Sequence, residues 1–169
     1  MKKTLLLIIV AASLLLSSFA LLHIQQNNLT STQIDNTQPV QKPQTNKKLD
    51  LSNRNLQKIP EYVFNQKGLE ELNVSGNQLT GAIQTEIRQL QNLKILNASN
   101  NQMTGVPAEI GQLQNLQVLD LSNNQLTGLP YELGNLQNLK ILNISGNNYS
   151  KLDLSIIQEK LPKSINIIK

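Results

Sequence analysis

Leucines recur through residues 49–169 at an almost constant interval. Leu72, Leu96, Leu119 and Leu142 are separated by steps of 24, 23 and 23 residues, and the segments between them are alike. A period of this length is typical of solenoid proteins, in which each repeat stacks on the next because no repeat can bury its apolar side alone. The interval therefore predicts about five stacked coils within residues 49–169.

Each repeat divides into two halves that differ in the spacing of their apolar residues. In the first half, Leu119 and Leu121 alternate with Val118 and Asp120, as expected for a strand with one buried face. In the second half the apolar residues lie three to four positions apart, which indicates a short helix or a 3₁₀ turn. Each unit thus predicts a strand followed by a short helical turn.

An asparagine follows the strand in four of the units. Its amide can both donate and accept, so it can pair with backbone groups that are left free where the chain bends inward. We expect a structural ladder of stacked asparagines rather than a ligand site. The predicted members of this ladder are Asn77, Asn101, Asn124 and Asn147.

These units resemble the leucine-rich-repeat family, whose pattern LxxLxLxxNxL is matched from Leu69 to Leu79 and from Leu116 to Leu126. The second half LTGLPYELGNLQNL is similar to the LPxxIxxLxxL type of bacterial and intracellular repeat proteins. The longer LTGAIQTEIRQLQNL is similar to the 24-residue form of plant receptor ectodomains. The resemblance implies an α/β solenoid: a right-handed horseshoe with a parallel sheet on its concave side, short helices or 3₁₀ turns on its convex side, and a use in binding proteins.

The first unit departs from the repeat pattern at three positions. Arg54 stands where the ladder asparagine is expected, Asn46 stands where the first leucine of the unit is expected, and Gln66 replaces another leucine. Polar terminal coils are common in solenoids because one side of the end coil faces water. We therefore expect a first coil that shields the stack.

The last residues, 149–169, abandon the period and predict a C-terminal cap to the domain. Asp153 is a candidate N-cap for a helix that runs to about Leu161, and Pro162 is expected to end it. Residues 165–168 are apolar enough to add a final strand.

The predicted binding face consists of the side chains on the outward side of each strand, since these are not needed for stacking. The predicted partner-binding residues are Glu71, Ile95, Val118 and Ile141 in a first row, Asn73, Asn97, Asp120 and Asn143 in a second, and Ser75, Ser99, Ser122 and Ser145 in a third. The first row forms an apolar stripe bordered by amides and hydroxyls, which suits a dry contact with a hydrogen-bonding border. β-branched residues also favour strands for packing reasons alone, so a face of spacer residues is the alternative.

The amino-terminal part of the chain predicts export. Lys2 and Lys3 precede an uncharged, mostly apolar run over residues 4–24, about the length of a membrane-spanning helix. Small residues at Ser18 and Ala20 favour a cleaved signal peptide, but the apolar run continues past them, as a membrane anchor would. Residues 1–24 are therefore a signal peptide or an anchor, and only the anchor would leave residues 4–24 in contact with a membrane. Either one predicts repeats that are secreted, periplasmic or anchored outside the cytosol, in a bacterial cell envelope.

Residues 25–48 predict a disordered polar linker, because they are almost wholly polar and include two prolines. The formal charge of +4 belongs to residues 1–48, which carry five lysines and one aspartate. Residues 49–169 carry ten basic and ten acidic residues. The repeats therefore have no net positive charge to attract phosphates, and we expect no nucleic-acid binding.

The residues needed for most catalytic and metal sites are missing from the repeats. The chain has no cysteine, and its only histidine, His23, lies in the amino-terminal apolar run. Asp50 and Asp120 would share a row but lie about 14 Å apart, too far for a paired acid and base. We expect a monomeric, non-enzymatic protein without cofactor or metal that binds a protein partner. The alternatives are a structural or adhesive envelope protein, and a fragment of a larger leucine-rich-repeat sensor or effector.

Overall fold

The structure, a computed structural model, describes residues 47–169. The predictions for residues 1–24, for Asn46 and for all but the end of the linker lie outside the described residues. The first strand begins at Lys48, so the sheet starts one residue before the predicted boundary at Leu49. Within the described range no helix is both long enough and apolar enough to cross a membrane.

Six short parallel strands form the main sheet in the order β1-β2-β4-β6-β7-β8. They are β1 (Lys48–Asp50), β2 (Glu71–Asn73), β4 (Ile95–Asn97), β6 (Val118–Asp120), β7 (Ile141–Asn143) and β8 (Asn166–Ile168). Equivalent positions of successive repeats pair directly, as Leu72 does with Leu96 and Leu119 with Leu142. The predicted α/β solenoid with a parallel sheet is confirmed.

The middle residue of each inner strand points into the core. Leu72, Leu96, Leu119 and Leu142 are at most 1% exposed, and burying a leucine contributes about 2 kcal/mol. On the opposite side of the core lie leucines and isoleucines from the second half of each unit. Leu113 and Ile110, for example, are 0% exposed. The repeating leucines therefore interlock between the sheet and the outer helical turns.

Short helical segments cover the outer side, as the apolar spacing predicts. They are α1 (Glu61–Phe64) and the 3₁₀ helices η1 (Thr85–Gln89), η2 (Ala108–Gln112) and η3 (Tyr131–Asn135). Pro60, Pro107 and Pro130 precede three of them in an extended conformation. Gln84 takes this place before η1, and its side chain donates to the Ile59 carbonyl at 2.6 Å. A glutamine thus ties the second coil to the first where the later coils have proline.

A second, two-stranded parallel sheet was not predicted from the sequence. It joins β3 (Thr80–Gly81) to β5 (Gln102–Met103). Gly81 adopts a left-handed φ of 67°, a conformation that glycine tolerates because it lacks a Cβ atom. The extra pairing joins the unit that is a residue longer than its neighbours, residues 69–92, to the unit that follows it.

The C-terminal cap consists of helix α2 (Lys151–Lys160) followed by β8. The prediction that Asp153 is the N-cap is wrong: Ser150 is the N-cap, and its hydroxyl accepts from the Asp153 N–H. The Asp153 carboxylate instead accepts from the Leu129 N–H at 3.2 Å. Leu154 and Ile157 of α2 are buried. The cap therefore closes the core and also binds the backbone of the last full coil.

Candidate binding face

The outward side chains of the main sheet form aligned rows, which we call the concave face. The first row brings together Glu71, Ile95, Val118 and Ile141, and the second brings together Asn73, Asn97, Asp120 and Asn143. All of these side chains are half-buried. Neighbours within a row are one strand spacing apart, about 4.8 Å. The structure thus places Ile95, Val118 and Ile141 in one continuous apolar stripe.

The end strands extend both rows with residues that were not predicted as part of the face. Lys48 continues the first row beyond Glu71, and Asn166 continues it beyond Ile141. Ile168 continues the second row and is 42% exposed. These positions were not predicted, because neither the cap sequence nor the polar segment before Leu49 has a leucine at the repeat interval.

The second and third rows are linked by hydrogen bonds that recur in each coil. The Oδ1 atom of Asn97 accepts from the Ser99 N–H at 3.0 Å and from its hydroxyl at 2.8 Å. The same two bonds join Asn73 to Ser75, Asp120 to Ser122, and Asn143 to Ser145. Each pair is an Asx turn that ends the strand.

The serine row offers less surface than the sequence suggested. Ser99 and Ser122 are only 6% and 5% exposed, whereas Ser75 and Ser145, which make the same bonds to the second row, are half-buried. Ser99 and Ser122 therefore expose less surface than the first and second rows. The strand alternation gave the side of the sheet correctly but not the burial of these two serines.

The ladder asparagines lie beneath this face and bind backbone groups of two coils. Asn124 donates from Nδ2 to the carbonyls of Ala98, Leu121 and Ser122 at 3.0 to 3.2 Å, and its Oδ1 accepts from the Met103 N–H at 3.1 Å. Asn77, Asn101 and Asn147 make equivalent sets of bonds. No buried side-chain nitrogen or oxygen in residues 47–169 lacks a hydrogen-bond partner. The ladder therefore serves the backbone rather than a ligand.

A second asparagine ladder, which the sequence reading missed, runs along the exposed turn before the strands. Asn92, Asn115 and Asn138 donate to the carbonyls of Lys67, Gln91 and Gln114 in the preceding coil at 2.7 to 2.8 Å. The signal was the repeated Gln-Asn-Leu at the end of three units. This ladder fixes the turn from which each strand enters the concave face.

Three ion pairs lie at the amino-terminal end of the sheet. Glu70 contacts Lys47 and Lys94, each at 2.7 Å, and Glu71 contacts Lys48 at 2.8 Å. The hydrogen bond from Lys47, together with the one from Lys94, lowers the pKa of Glu70 from 4.5 to about 2. The Glu70 hydrogen bond in turn raises the pKa of Lys47. Lys47 and Lys48, predicted as linker, thus belong to the first coil.

This ion cluster predicts an acid-sensitive contribution to stability. Because folding lowers the pKa of Glu70, its contribution is present above pH 4.5 and is lost as the pH falls from 4.5 to about 2. We expect the urea midpoint of unfolding to fall across this window, and to fall less steeply for Glu70→Gln. Glu86→Gln, which alters an exposed carboxylate of η1, is the control and should keep the wild-type slope. Equal slopes for the wild type and Glu70→Gln would contradict the assignment.

No group of three or more His, Cys, Asp or Glu side chains within residues 47–169 is arranged to hold a metal ion. The acidic residues of the outer turns, Glu86, Glu109 and Glu132, each lie in the first turn of a 3₁₀ helix. Outside the ion cluster, the polar side chains of the concave face bind mainly backbone groups and serines.

Comparison with known proteins gives matches over the same part of the chain. A family model described as "leucine-rich repeat region" matches residues 77–159, and one described as "leucine rich repeat" matches residues 47–103. No curated protein matches the sequence.

Three solved structures illustrate the likeness. A leucine-rich-repeat protein of Leptospira interrogans is 42% identical over 66% of this chain and 28% of its own, with a TM-score of 0.62. The ectodomain of the receptor kinase SOBIR1 from Arabidopsis thaliana is 28% identical over 66% of this chain and 60% of its own, with a TM-score of 0.54. The ectodomain of the Arabidopsis receptor kinase GASSHO1/SCHENGEN3, in complex with CASPARIAN STRIP INTEGRITY FACTOR 2, is 34% identical over 66% of this chain and 13% of its own, with a TM-score of 0.55. The chain thus spans less than two thirds of the length of each.

Proposed function

The chain belongs to the leucine-rich-repeat family, and we propose that it is a non-catalytic module that binds a protein partner through its concave face. The fold is commonly a protein-interaction scaffold, and the GASSHO1/SCHENGEN3 ectodomain is seen in complex with another factor. The observation that carries the proposal is the apolar stripe of Ile95, Val118 and Ile141, which is aligned in register and left half-open to solvent.

The composition around the stripe supports contact with a protein surface. The second row contributes amide groups, and the ladder beneath holds the backbone rigid, so the face loses little entropy on binding. An apolar centre with a polar border is the usual anatomy of a protein interface. The absence of a net charge in residues 49–169 gives no reason to favour a nucleic acid.

The binding domain is proposed to act outside the cytosol. Lys2 and Lys3 followed by the apolar run over residues 4–24 support export, either as a cleaved signal peptide or as a membrane anchor. The polar residues 25–46 would then separate the repeats from the membrane or from the new amino terminus. Immunodetection in the culture medium, the membrane fraction and the cytosol would distinguish these locations.

Charging the stripe is expected to abolish partner capture. Val118→Glu with Ile141→Glu places two carboxylates in the centre of the face, where desolvation would oppose any apolar contact. Capture is measured with the immobilised chain and extracts of the source organism. The fold, followed by circular dichroism and thermal unfolding, should persist because both side chains are already half-exposed.

The matched control for this variant is Gln112→Glu with Asn135→Glu, which adds the same charge on exposed positions of η2 and η3. This pair should bind like the wild type. Unchanged capture by the Val118 and Ile141 variant would contradict the concave-face assignment.

A second candidate is a structural role through end-to-end contact between copies. β8 is the last strand of the sheet and has no strand on its outer side within residues 47–169. Its Ile168 is 42% exposed, and open strand edges can pair with other chains. A chain that stays monomeric at high concentration in light scattering would rule this candidate out.

A further inference from the structure

Asp120 interrupts the amides of the second row, whose other acidic residue, Asp50, lies at the β1 end of the described sheet. In β2, β4 and β7 the second row carries Asn73, Asn97 and Asn143, whereas β6 carries Asp120 at the equivalent position. Asp120 therefore puts a carboxylate in the middle of a row that is otherwise neutral over these four strands.

The charge of Asp120 is not needed to build the strand end. Its Oδ1 accepts from the Ser122 N–H at 2.9 Å and from the Ser122 hydroxyl at 2.6 Å. Asn97 makes the same two bonds to Ser99 at 3.0 and 2.8 Å with a neutral amide. Asparagine makes the same Asx turn in three other strands of the sheet. The negative charge of Asp120 is therefore not needed for the turn.

The carboxylate also has no counter-ion in the part of the chain that the structure describes. The three ion pairs there join Lys47, Lys48 and Lys94 to glutamates of the second coil. The remaining oxygen of Asp120, Oδ2, accepts only from the neutral amide of Asn143, at 3.2 Å. Lys140 donates to Gln117 at 3.0 Å. In the free protein the Asp120 carboxylate is thus bound by neutral donors of Ser122 and Asn143 and by no cation of the described residues.

Any partner that covers the apolar stripe would also cover Asp120 and exclude solvent from its carboxylate. Val118 lies two residues before Asp120 on the same strand, and Ile141 pairs with Val118 from β7. A carboxylate that is desolvated without a counter-ion opposes binding, whereas one that meets a cation adds specificity. A partner that packs on the apolar stripe therefore also contacts the Asp120 carboxylate.

We infer that the partner segment carries a lysine or arginine side chain that pairs with Asp120 while a neighbouring apolar side chain packs on Ile95, Val118 and Ile141. This inference rests on the proposed function, because it specifies the chemistry of the partner of the same face. The described repeats have no net charge over residues 49–169, so attraction of a basic segment would be local to Asp120 rather than a property of the whole surface.

Selection from a random peptide display library on the immobilised full chain tests the inference. The wild type should enrich peptides that combine a lysine or arginine with a nearby apolar residue. Asp120→Asn should bind the enriched peptides at least about tenfold more weakly at low salt, and the difference should shrink as salt is added. The variant keeps the Asx turn that Asn97 already makes, so equal thermal unfolding of the two proteins verifies its fold. Glu86→Gln removes a charge from η1 instead and should bind like the wild type.

The outcomes separate the inference from the proposed function. Peptides that need Val118 and Ile141 but show no basic residue, or that bind Asp120→Asn equally well, would overturn the inference and leave the concave-face proposal standing. Enriched peptides that bind the Val118→Glu and Ile141→Glu variant unchanged, or no enrichment at all, would overturn both. Self-association of the chain that Asp120→Asn abolishes would identify a second copy as the occupant and would overturn the assignment to a foreign basic segment.

Discussion

Asn124→Ala is expected to destabilise the folded repeats by about 3 to 5 kcal/mol, since it removes one side chain that serves several buried backbone groups. Without the amide, the Met103 N–H loses its partner. The carbonyls of Ala98 and Leu121 each lose one of two donors and keep only Asn101 and Asn147, and each such lost bond costs about 0.5 to 1.5 kcal/mol. Asn124 is 8% exposed, so water cannot readily replace these bonds. Each buried group left without a partner costs about 1 to 3 kcal/mol.

Urea unfolding followed by circular dichroism measures this loss, with Asn115→Ala as the matched control. Asn115 belongs to the exposed ladder, and its side chain makes one hydrogen bond within the described residues, from Nδ2 to the Gln91 carbonyl at 2.8 Å. Water can take its place, so this variant should lose no more than about 1 kcal/mol. Similar losses for Asn124→Ala and Asn115→Ala would contradict a special role for the buried ladder.

Gly111→Ala is the second substitution with a large expected effect, a destabilisation of about 2 to 4 kcal/mol. A Cβ atom at this position of η2 would lie 2.3 Å from the Glu132 carbonyl oxygen and 2.8 Å from its carbonyl carbon. The obstacle is backbone of the next coil, which cannot rotate away as a side chain can. The coils must separate locally to admit the methyl group, and that loosens the contact between η2 and η3.

Gly105→Ala is the control for Gly111→Ala, because the nearest atom to its added Cβ is the Ala82 Cβ at 4.0 Å. The new methyl group makes an ordinary contact, and the loss of chain entropy in the unfolded state favours folding slightly. We expect a change within about 1 kcal/mol of zero in thermal or urea unfolding. A Gly111→Ala variant as stable as Gly105→Ala would show that the coils are not packed as closely as described.

The sequence was sufficient to predict the sheet, its register and the side of each strand that faces outward. The reason is that Leu72, Leu96, Leu119 and Leu142 repeat at a nearly fixed interval, and a parallel stack leaves one way to align them. Strand alternation then determines that Val118 and its equivalents point outward. These predictions required only spacing, which the sequence carries directly.

Features that depend on side-chain hydrogen bonds were harder to predict. The Ser99 hydroxyl binds Asn97 and the side chain is 6% exposed, and spacing alone reveals neither the bond nor the burial. Asp153 was predicted as the N-cap, but the Ser150 hydroxyl has that place and the Asp153 carboxylate binds the Leu129 N–H of the preceding coil. The rows predicted as partner-binding remain a prediction, because no ligand distinguishes a binding residue from a spacer.

The buried ladder gives the array a direction. Asn101 binds Val74 and Leu79 of the coil before it, and Asn124 binds Ala98 and Met103 in the same way. Each of these coils thus supplies the ladder asparagine that binds the backbone of the coil before it, whereas the coil after it is bound by its own asparagine. A duplicated unit inserted between two coils would bring its own ladder asparagine. A unit added before the first coil would instead be followed by Arg54, whose side chain has no amide to bind that unit's backbone. Lengthening by gene duplication is therefore easier inside the array than at its amino-terminal end.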